Sequence, residues 1–171
     1  MNNHRKLLQL LQANAKPRAE GVPAIRLDAT QDEPHVYIYD VIDAWWGASA
    51  AGLIEALAGL GDRTVHMHIN SPGGDVFEGR AMAAAVVSYQ GRVITHIDGL
   101  AASAATYVAM SGNEVRITQG GMLMVHEGWT IGMGNKRELA KTVDLLGKVD
   151  LQIAADYARR TGVTVEQAMA W

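Results

Sequence analysis

With 171 residues, 49% of them hydrophobic, and a formal net charge of −3, the chain suffices for one domain with a full core and is too apolar for a disordered segment. Lys and Arg are scattered apart from pairs such as Arg5-Lys6 and Arg159-Arg160, which argues against a generic nucleic-acid binder. The absence of cysteine excludes a disulfide scaffold, a thiol nucleophile and a cysteine-based zinc site, and it fits a reducing, cytoplasmic setting.

Residues 1–20 read as a short amphipathic helix, with Leu7, Leu8 and Leu11 on one face, followed by a polar linker through Lys16-Pro17-Arg18. A mobile leader, an interaction helix and a removable propeptide all fit this segment. Its apolar core, interrupted by Gln9 and Gln12, is too short for a secretion signal. The run from Leu100 to Met110 contains Ser103 and Thr106 and is too short to span a bilayer. Residues 21–171 are expected to form the main domain.

From Val36 the pattern changes. HVYIYDVI is rich in β-branched and aromatic residues and predicts a strand, and Gly47-Ala48-Ser49 starts a helix to about Leu60. Residues 64–70 alternate as a strand, stopped by Ser71-Pro72-Gly73-Gly74, and a helix follows from about Val76 to Tyr89. Residues 92–98 predict a strand broken by Gly99, and LAASAATYVAMSG a helix of small residues ending near Gly112. EVRIT and MLMVHE predict strands at 114–118 and 122–127, and a Gly-rich loop spans 128–134. A long helix is expected from about Asn135 to Arg160, with Leu139, Val143, Leu146, Val149, Ile153 and Tyr157 at steps of three or four. Thr161-Gly162 ends it, and Thr164 with Gln167 caps a last helix. Alternating strands and helices make the class α/β.

Three segments carry chemistry. In Asn70-Ser71-Pro72-Gly73-Gly74-Asp75, adjacent glycines free the backbone and leave N–H groups uncovered at a helix start, where negative charge is favoured; Pro-Gly-Gly alone is also a plain turn. Ser103 stands at a strand-to-helix junction among small residues, where the N–H of Ala104 would point the same way; an isolated serine there is more often a helix N-cap. His126 ends an apolar strand, and a neutral imidazole with a pKa of about 6.5 can take a serine proton at neutral pH, although a lone strand-end histidine more often serves the backbone. His66 and His68 alternate and share a sheet face, but a zinc pair there would need further ligands.

The order of the three segments resembles the Clp protease proteolytic subunit (ClpP) family, which carries I-N-S-P-G-G, then G-x-A-A-S, then M-x-H. Here these are Ile69 to Gly74, Gly99 to Ser103 and Met124 to His126. The resemblance runs from about Val36 to the chain end. It implies a ClpP/crotonase-like spiral of β-β-α units with the helix at 135–160 as a protruding handle. It also implies Ser103 as nucleophile, His126 as general base, and the Gly74 and Ala104 N–H groups as oxyanion hole. Substrate would bind as an extended strand at Gly73, Gly128 and Trp129, with no metal or cofactor. The family's third triad member, an aspartate, lies after the helix that follows the handle. The sequence stops at Trp171 just before that point, so the acid is expected to be absent and the chain truncated or processed. Asp144, Asp150 and Asp156 lie within the handle, and none is assigned the role. The segment between serine and histidine is slightly shorter than in typical bacterial members.

The leader, the Tyr39 to Ile42 segment and His126-Glu127-Gly128-Trp129 look most like the ClpP-related head maturation proteases of tailed phages and prophages. That branch cleaves scaffold and capsid proteins inside the procapsid without an unfoldase ATPase, and no nucleotide-binding G-x-x-x-x-G-K-[ST] occurs here. The resemblance implies a homo-oligomer acting on protein substrates in the bacterial host cytoplasm or within procapsids. Two rivals are an inactive ClpP-like assembly or scaffold protein and a crotonase-type acyl-CoA enzyme.

Overall fold

The structure, a computed structural model, describes residues 22–171. The leader helix expected within residues 1–20 lies outside them. The described residues fall into two compact units, the first running to Met124 and the second from Val125 to Trp171.

The first unit is built on one six-stranded sheet in the order β1-β2-β3-β4-β5, with β6 also paired to β4. The strands are β1 (Ile25–Asp28), β2 (His35–Ile38), β3 (Val65–Ser71), β4 (Val93–Ala102), β5 (Glu114–Ile117) and β6 (Met122–Met124). Only the β1–β2 pairing is antiparallel; β2–β3, β3–β4, β4–β5 and β4–β6 are parallel. The alternation of β3 fixes its register: Val65, Met67, Ile69 and Ser71 point into the core, and His66 and His68 point away.

Among the described residues, three helices belong to this unit: α1 (Ala50–Leu57), α2 (Val76–Ser88) and α3 (Ala104–Ser111). Ser49 caps α1 by accepting from Gly52 N, which trims the expected start at Gly47. Asp75 caps α2 by accepting from the N–H groups of Phe77 and Glu78. Leu53 on α1, Met82 on α2 and Val108 on α3 are fully buried against Val36, Ile38, Met67, Ile69 and Ile97 of the sheet. Close approach of α2 and α3 depends on small residues, since a Cβ on Gly79 would lie 2.9 Å from the Ala104 carbonyl oxygen.

Gly99 does not break its strand. β4 continues to Ala102, and α3 begins only at Ala104. The reason is a change of partner: residues 94–97 pair with β5, and residues 100–102 pair with β6. Asn70 sits at the join, where its Oδ1 accepts from Leu100 N at 3.1 Å and leaves no room for a side chain at position 99. The strands expected at 35–42 and 122–127 are shorter than their apolar patterns. β2 stops at Ile38, and Ile42 makes only single isolated bridges, to Ala48 and Gly74, outside the named strands. β6 stops at Met124, so His126 lies beyond the strand rather than at its end. β1 has no counterpart among the sequence expectations, because IRLD is four residues long and only half-buried at best.

The second unit holds α4 (Lys136–Thr161) and α5 (Val165–Met169). Asn135 and Glu138 form a capping box at the start of α4, and Gly162, with φ of 79°, ends it in the left-handed conformation. Thr164 and Gln167 cap α5 reciprocally, as their spacing predicts. The apolar stripe of α4 is graded: Leu139 and Val143 are exposed, Leu146, Val149 and Ile153 half-buried, and Tyr157 buried. Among the described residues, no helix is long and apolar enough to cross a membrane.

Candidate active site

In the first unit, β3 delivers the chain into Ser71-Pro72-Gly73-Gly74-Asp75. Ser71 is fully buried and works in two directions. Its hydroxyl donates to the Asp40 carbonyl oxygen at 2.6 Å and accepts from Gly73 N at 3.1 Å. Ile42 N donates to Gly73 O, and Asp75 N donates to Ile42 O, each at 2.8 Å. The glycine loop is therefore gripped on both sides of Gly74. The N–H groups of Gly73 and Asp75 are spent on these contacts, whereas that of Gly74 donates to no acceptor among the described residues. Both glycines have positive φ, 84° at Gly73 and 151° at Gly74. A Cβ on Gly74 would lie 2.1 Å from Ile42 O, so the backbone approach itself demands glycine there.

Ser103 follows β4 directly. Its φ of 53° makes it the only non-glycine residue with positive φ among the described residues. Such a conformation costs of order 1–3 kcal/mol and persists only where surrounding structure imposes it. Here Ser103 N donates to Met124 O at 2.8 Å, and Ser103 O accepts from Thr106 N at 2.9 Å. Ser103 occupies the N-cap position of α3, yet its side chain makes no capping hydrogen bond. The ordinary use of a serine at this position is thus not the one found. Ala104, the first residue of α3, has an N–H with no intrahelical acceptor, as helix geometry requires.

The two segments meet. A Cβ built on Gly73 would lie 2.3 Å from Ala102 O, 2.7 Å from Ser103 Cβ and 2.8 Å from Ala104 N. The glycine loop and the serine turn are therefore in backbone contact, bringing Gly73, Ser103 and Ala104 into one small region.

In the second unit, His126 is half-buried, and its Nδ1 hydrogen-bonds the carbonyl oxygen of Glu127. A carbonyl only accepts, so Nδ1 carries the proton and Nε2 holds the lone pair of the neutral ring. Gly128 N donates to Asp150 Oδ1 at 2.6 Å. The Gly-rich loop lies along α4, since Cβ atoms added at Gly128 and Gly132 would sit 3.3 Å from Val149 Cγ1 and 3.2 Å from Leu139 Cδ2. Trp129 is about half exposed. A recess in this unit is lined by His126, Asp150, Ile153, Tyr157, Met169 and Trp171 together with their neighbours.

Comparison with known sequences decides the family: the profile described as Clp protease matches residues 28–170. The chain belongs to the Clp protease family. Membership supports a serine peptidase, a hydrolase of the serine type. Among solved structures, the chain is similar to a point mutant of ClpP1 from Listeria monocytogenes, with a TM-score of 0.70 and 20% identity over 80% of this chain and 77% of that one. At that identity the likeness is one of fold, and it supports the mixed α/β architecture.

Some residues that shape this Clp protease chain carry no sequence signal of their own. Ser71 reads as part of a turn, and only its burial reveals a clamp. The segment from Asp40 to Gly47 reads as strand and helix start, yet it braces the glycine loop through Ile42 and presents Trp45 and Trp46 to solvent at 86% and 79% exposure. Asp150, one more acidic residue in a long helix, holds the backbone next to His126.

Proposed function

We propose that this member of the Clp protease family is a serine endopeptidase in which Ser103 is the nucleophile and His126 the general base. The carrying observation is the backbone of Ser103. A serine held at positive φ between a strand and a helix, with a hydroxyl that does not cap that helix, is the geometry of an exposed nucleophile at a strained turn.

In the proposed reaction, Ser103 Oγ attacks a peptide carbonyl carbon while His126 Nε2 accepts the hydroxyl proton. The carbonyl oxygen becomes an oxyanion and is bound by the N–H groups of Gly74 and Ala104, which donate to no other acceptor among the described residues. Losing one such donor typically lowers kcat by about 100- to 1000-fold. The protonated His126 then gives its proton to the leaving amine, and water releases the acyl group by the reverse sequence. The Nδ1–H of His126, directed at the Glu127 carbonyl, supports this tautomer. Substrate is proposed to lie extended at Gly73, Gly128 and Trp129; the N–H groups of Gly73 and Gly128 are engaged by Ser71 Oγ and Asp150 Oδ1, so these glycines shape the track and do not donate to the substrate.

The biological setting proposed is the processing of scaffold or capsid proteins during phage head maturation, without an ATPase partner. The resemblance of the Tyr39 to Ile42 and His126 to Trp129 segments to that branch supports it. A homo-oligomer with α4 as its handle is proposed likewise. The exposed Leu139 and Val143 on the apolar stripe of that helix support it.

Labelling with a fluorophosphonate probe tests the chemistry. The full-length protein should be modified at Ser103, its Ser103→Ala variant should not be labelled, and its His126→Ala variant should be labelled far more slowly. Undiminished labelling of Ser103→Ala would refute the nucleophile, and a full-length protein that assembles without labelling would favour the non-catalytic reading.

A further inference from the structure

The outward face of the sheet in the first unit carries four histidines that the catalytic proposal does not use. His35 on β2, His66 and His68 on β3, and His96 on β4 form a compact stack. Ring centroids are 4.9 Å apart for His35–His66, 5.1 Å for His35–His68, 5.0 Å for His66–His96 and 4.6 Å for His68–His96. The side chains of His66 and His68 are only 15% and 17% exposed.

The rings are wired in two chains. His68 Nδ1 lies 2.8 Å from Asp98 Oδ2, and His35 Nδ1 lies 2.9 Å from His68 Nε2. His66 Nε2 lies 2.6 Å from Glu33 Oε2, and His96 Nε2 lies 2.7 Å from His66 Nδ1. A carboxylate only accepts, so His68 donates from Nδ1 and His66 from Nε2. Their remaining nitrogens must then accept, from His35 and His96 respectively. Every bond in both chains is satisfied when all four rings are neutral. A proton added to the accepting nitrogen of His66 or His68 would place two N–H groups head to head and break a link between strands.

The stack is not arranged as a metal centre. The rings lie over one another instead of converging, the inner lone pairs are occupied by neighbouring histidines, and no group of three or more His, Asp or Glu among the described residues is placed to hold a metal ion.

We infer that this histidine stack is a pH-sensitive clasp across β2, β3 and β4, closed while the imidazoles are neutral and loosened as they take up protons. Protonating His35 or His96 leaves its donor link in place and acts instead by putting charge into a partly buried stack whose rings lie 4.6–5.1 Å apart, where neighbouring imidazoliums repel. Burial, followed by the neighbouring His66 and His68, holds both His35 and His96 below the usual histidine range. Asp28 and Glu33 oppose this at His35; at His96, Arg116 adds to it and Asp98 opposes it. From the flanking elements, Arg26 lies over the Tyr37 ring, Tyr39 donates to Asp98, and Glu114 is engaged by Arg92 and Arg116. A histidine whose folded pKa is depressed stabilises the fold above its unfolded pKa of about 6.5, and that stability is lost as pH falls through the folded value. The clasp therefore opens on acidification below neutrality. β3 and β4 continue into the glycine loop and Ser103, so loosening acts on the frame of both. That consequence rests on the proposed catalytic roles, whereas the clasp itself does not.

The test is urea unfolding of the full chain between pH 8 and pH 5, comparing wild type with the double variant His35→Gln, His96→Gln. Glutamine keeps an N–H donor at each position and removes the titrating ring. The wild-type profile should steepen below about pH 6.5 with a slope reporting up to about two extra protons bound by the unfolded chain, and the variant should lack that component. His126 and the other shared groups cancel in the difference. Proton titration of the wild-type imidazoles by NMR gives a second measure that needs no variant, with His35 and His96 protonating only below the range of an unfolded histidine. Parallel profiles for the two proteins, or His35 and His96 titrating at or above that range, would overturn the inference.

Discussion

Gly73 packs directly against Ser103: a Cβ on Gly73 would fall 2.7 Å from the Cβ of Ser103. The same added atom would fall 2.3 Å from Ala102 O, so it has no direction in which to relax without moving the end of β4. Gly73→Ala should therefore carry two costs. One is the left-handed backbone, about 1–2 kcal/mol for an L-residue, and the other is the clash, of similar size. Gly59→Ala is the control, since Gly59 has φ of 80° but nothing within 4 Å of an added Cβ. Denaturation should show Gly73→Ala to be the more destabilised of the two, and only Gly73→Ala should lose fluorophosphonate labelling at Ser103. Equal stability and equal labelling would show that the glycine loop does not shape the serine turn.

Ser71 provides a separate handle on the same loop. Its hydroxyl serves Asp40 O and Gly73 N from a fully buried position. Ser71→Ala leaves the buried Gly73 N–H without this acceptor, at about 1–3 kcal/mol, and removes the donor to the part-buried Asp40 carbonyl. The expected result is a urea midpoint lowered by an amount well above that of an ordinary surface substitution. Ser71→Thr, which keeps the hydroxyl, should lose less unless its extra methyl cannot be packed. A neutral Ser71→Ala would mean that water replaces the hydroxyl.

What the sequence made legible follows from how local each signal is. The alternation of Val65, Met67 and Ile69 against His66 and His68 is a strand pattern with period two, and the structure keeps it and extends it to Ser71. Thr164 with Gln167 is a cap whose partner stands three residues away, so spacing alone identifies it; Asp75 and the Asn135–Glu138 box are equally local, but only the structure shows them. Gly99 misleads because its surroundings are distant in sequence. Asn70 supplies the hydrogen bond and β6 supplies the ladder, and neither is visible from a glycine in an apolar run. The candidate nucleophile was legible as a serine among small residues in a motif, but its strained φ was not. The histidine chains were half legible. His66 and His68 declare a shared face, whereas His35 and His96 join them only through strand order.

At the candidate base, the tautomer is a measurable consequence of one contact. His126 Nδ1 donates to the Glu127 carbonyl. Nitrogen NMR of the neutral ring should therefore report protonated Nδ1 and unprotonated Nε2. Peptides in water favour the other tautomer, so the contact has to overcome a small intrinsic preference. Finding protonated Nε2 in the folded chain would leave His126 without a basic nitrogen in the proposed orientation.

A phenol joins the histidine face to Asp98. Tyr39 donates its hydroxyl to Asp98, and its pKa is pushed up to about 12, first by burial and then by the hydrogen bond and charge of the carboxylate. The folded state thus favours the protonated phenol. This contribution to stability is complete below the unfolded tyrosine pKa of about 10, and it is lost as pH rises through the folded value. Titration of phenolate absorbance on wild type and Tyr39→Phe isolates this group, because the remaining tyrosines are common to both. The difference curve should rise near pH 12 and not near 10. Asp98→Asn should bring it part of the way back, since the amide removes the negative charge while burial, the larger cause, remains. A difference curve centred at the ordinary tyrosine value would mean that Tyr39 and Asp98 are not bonded in solution.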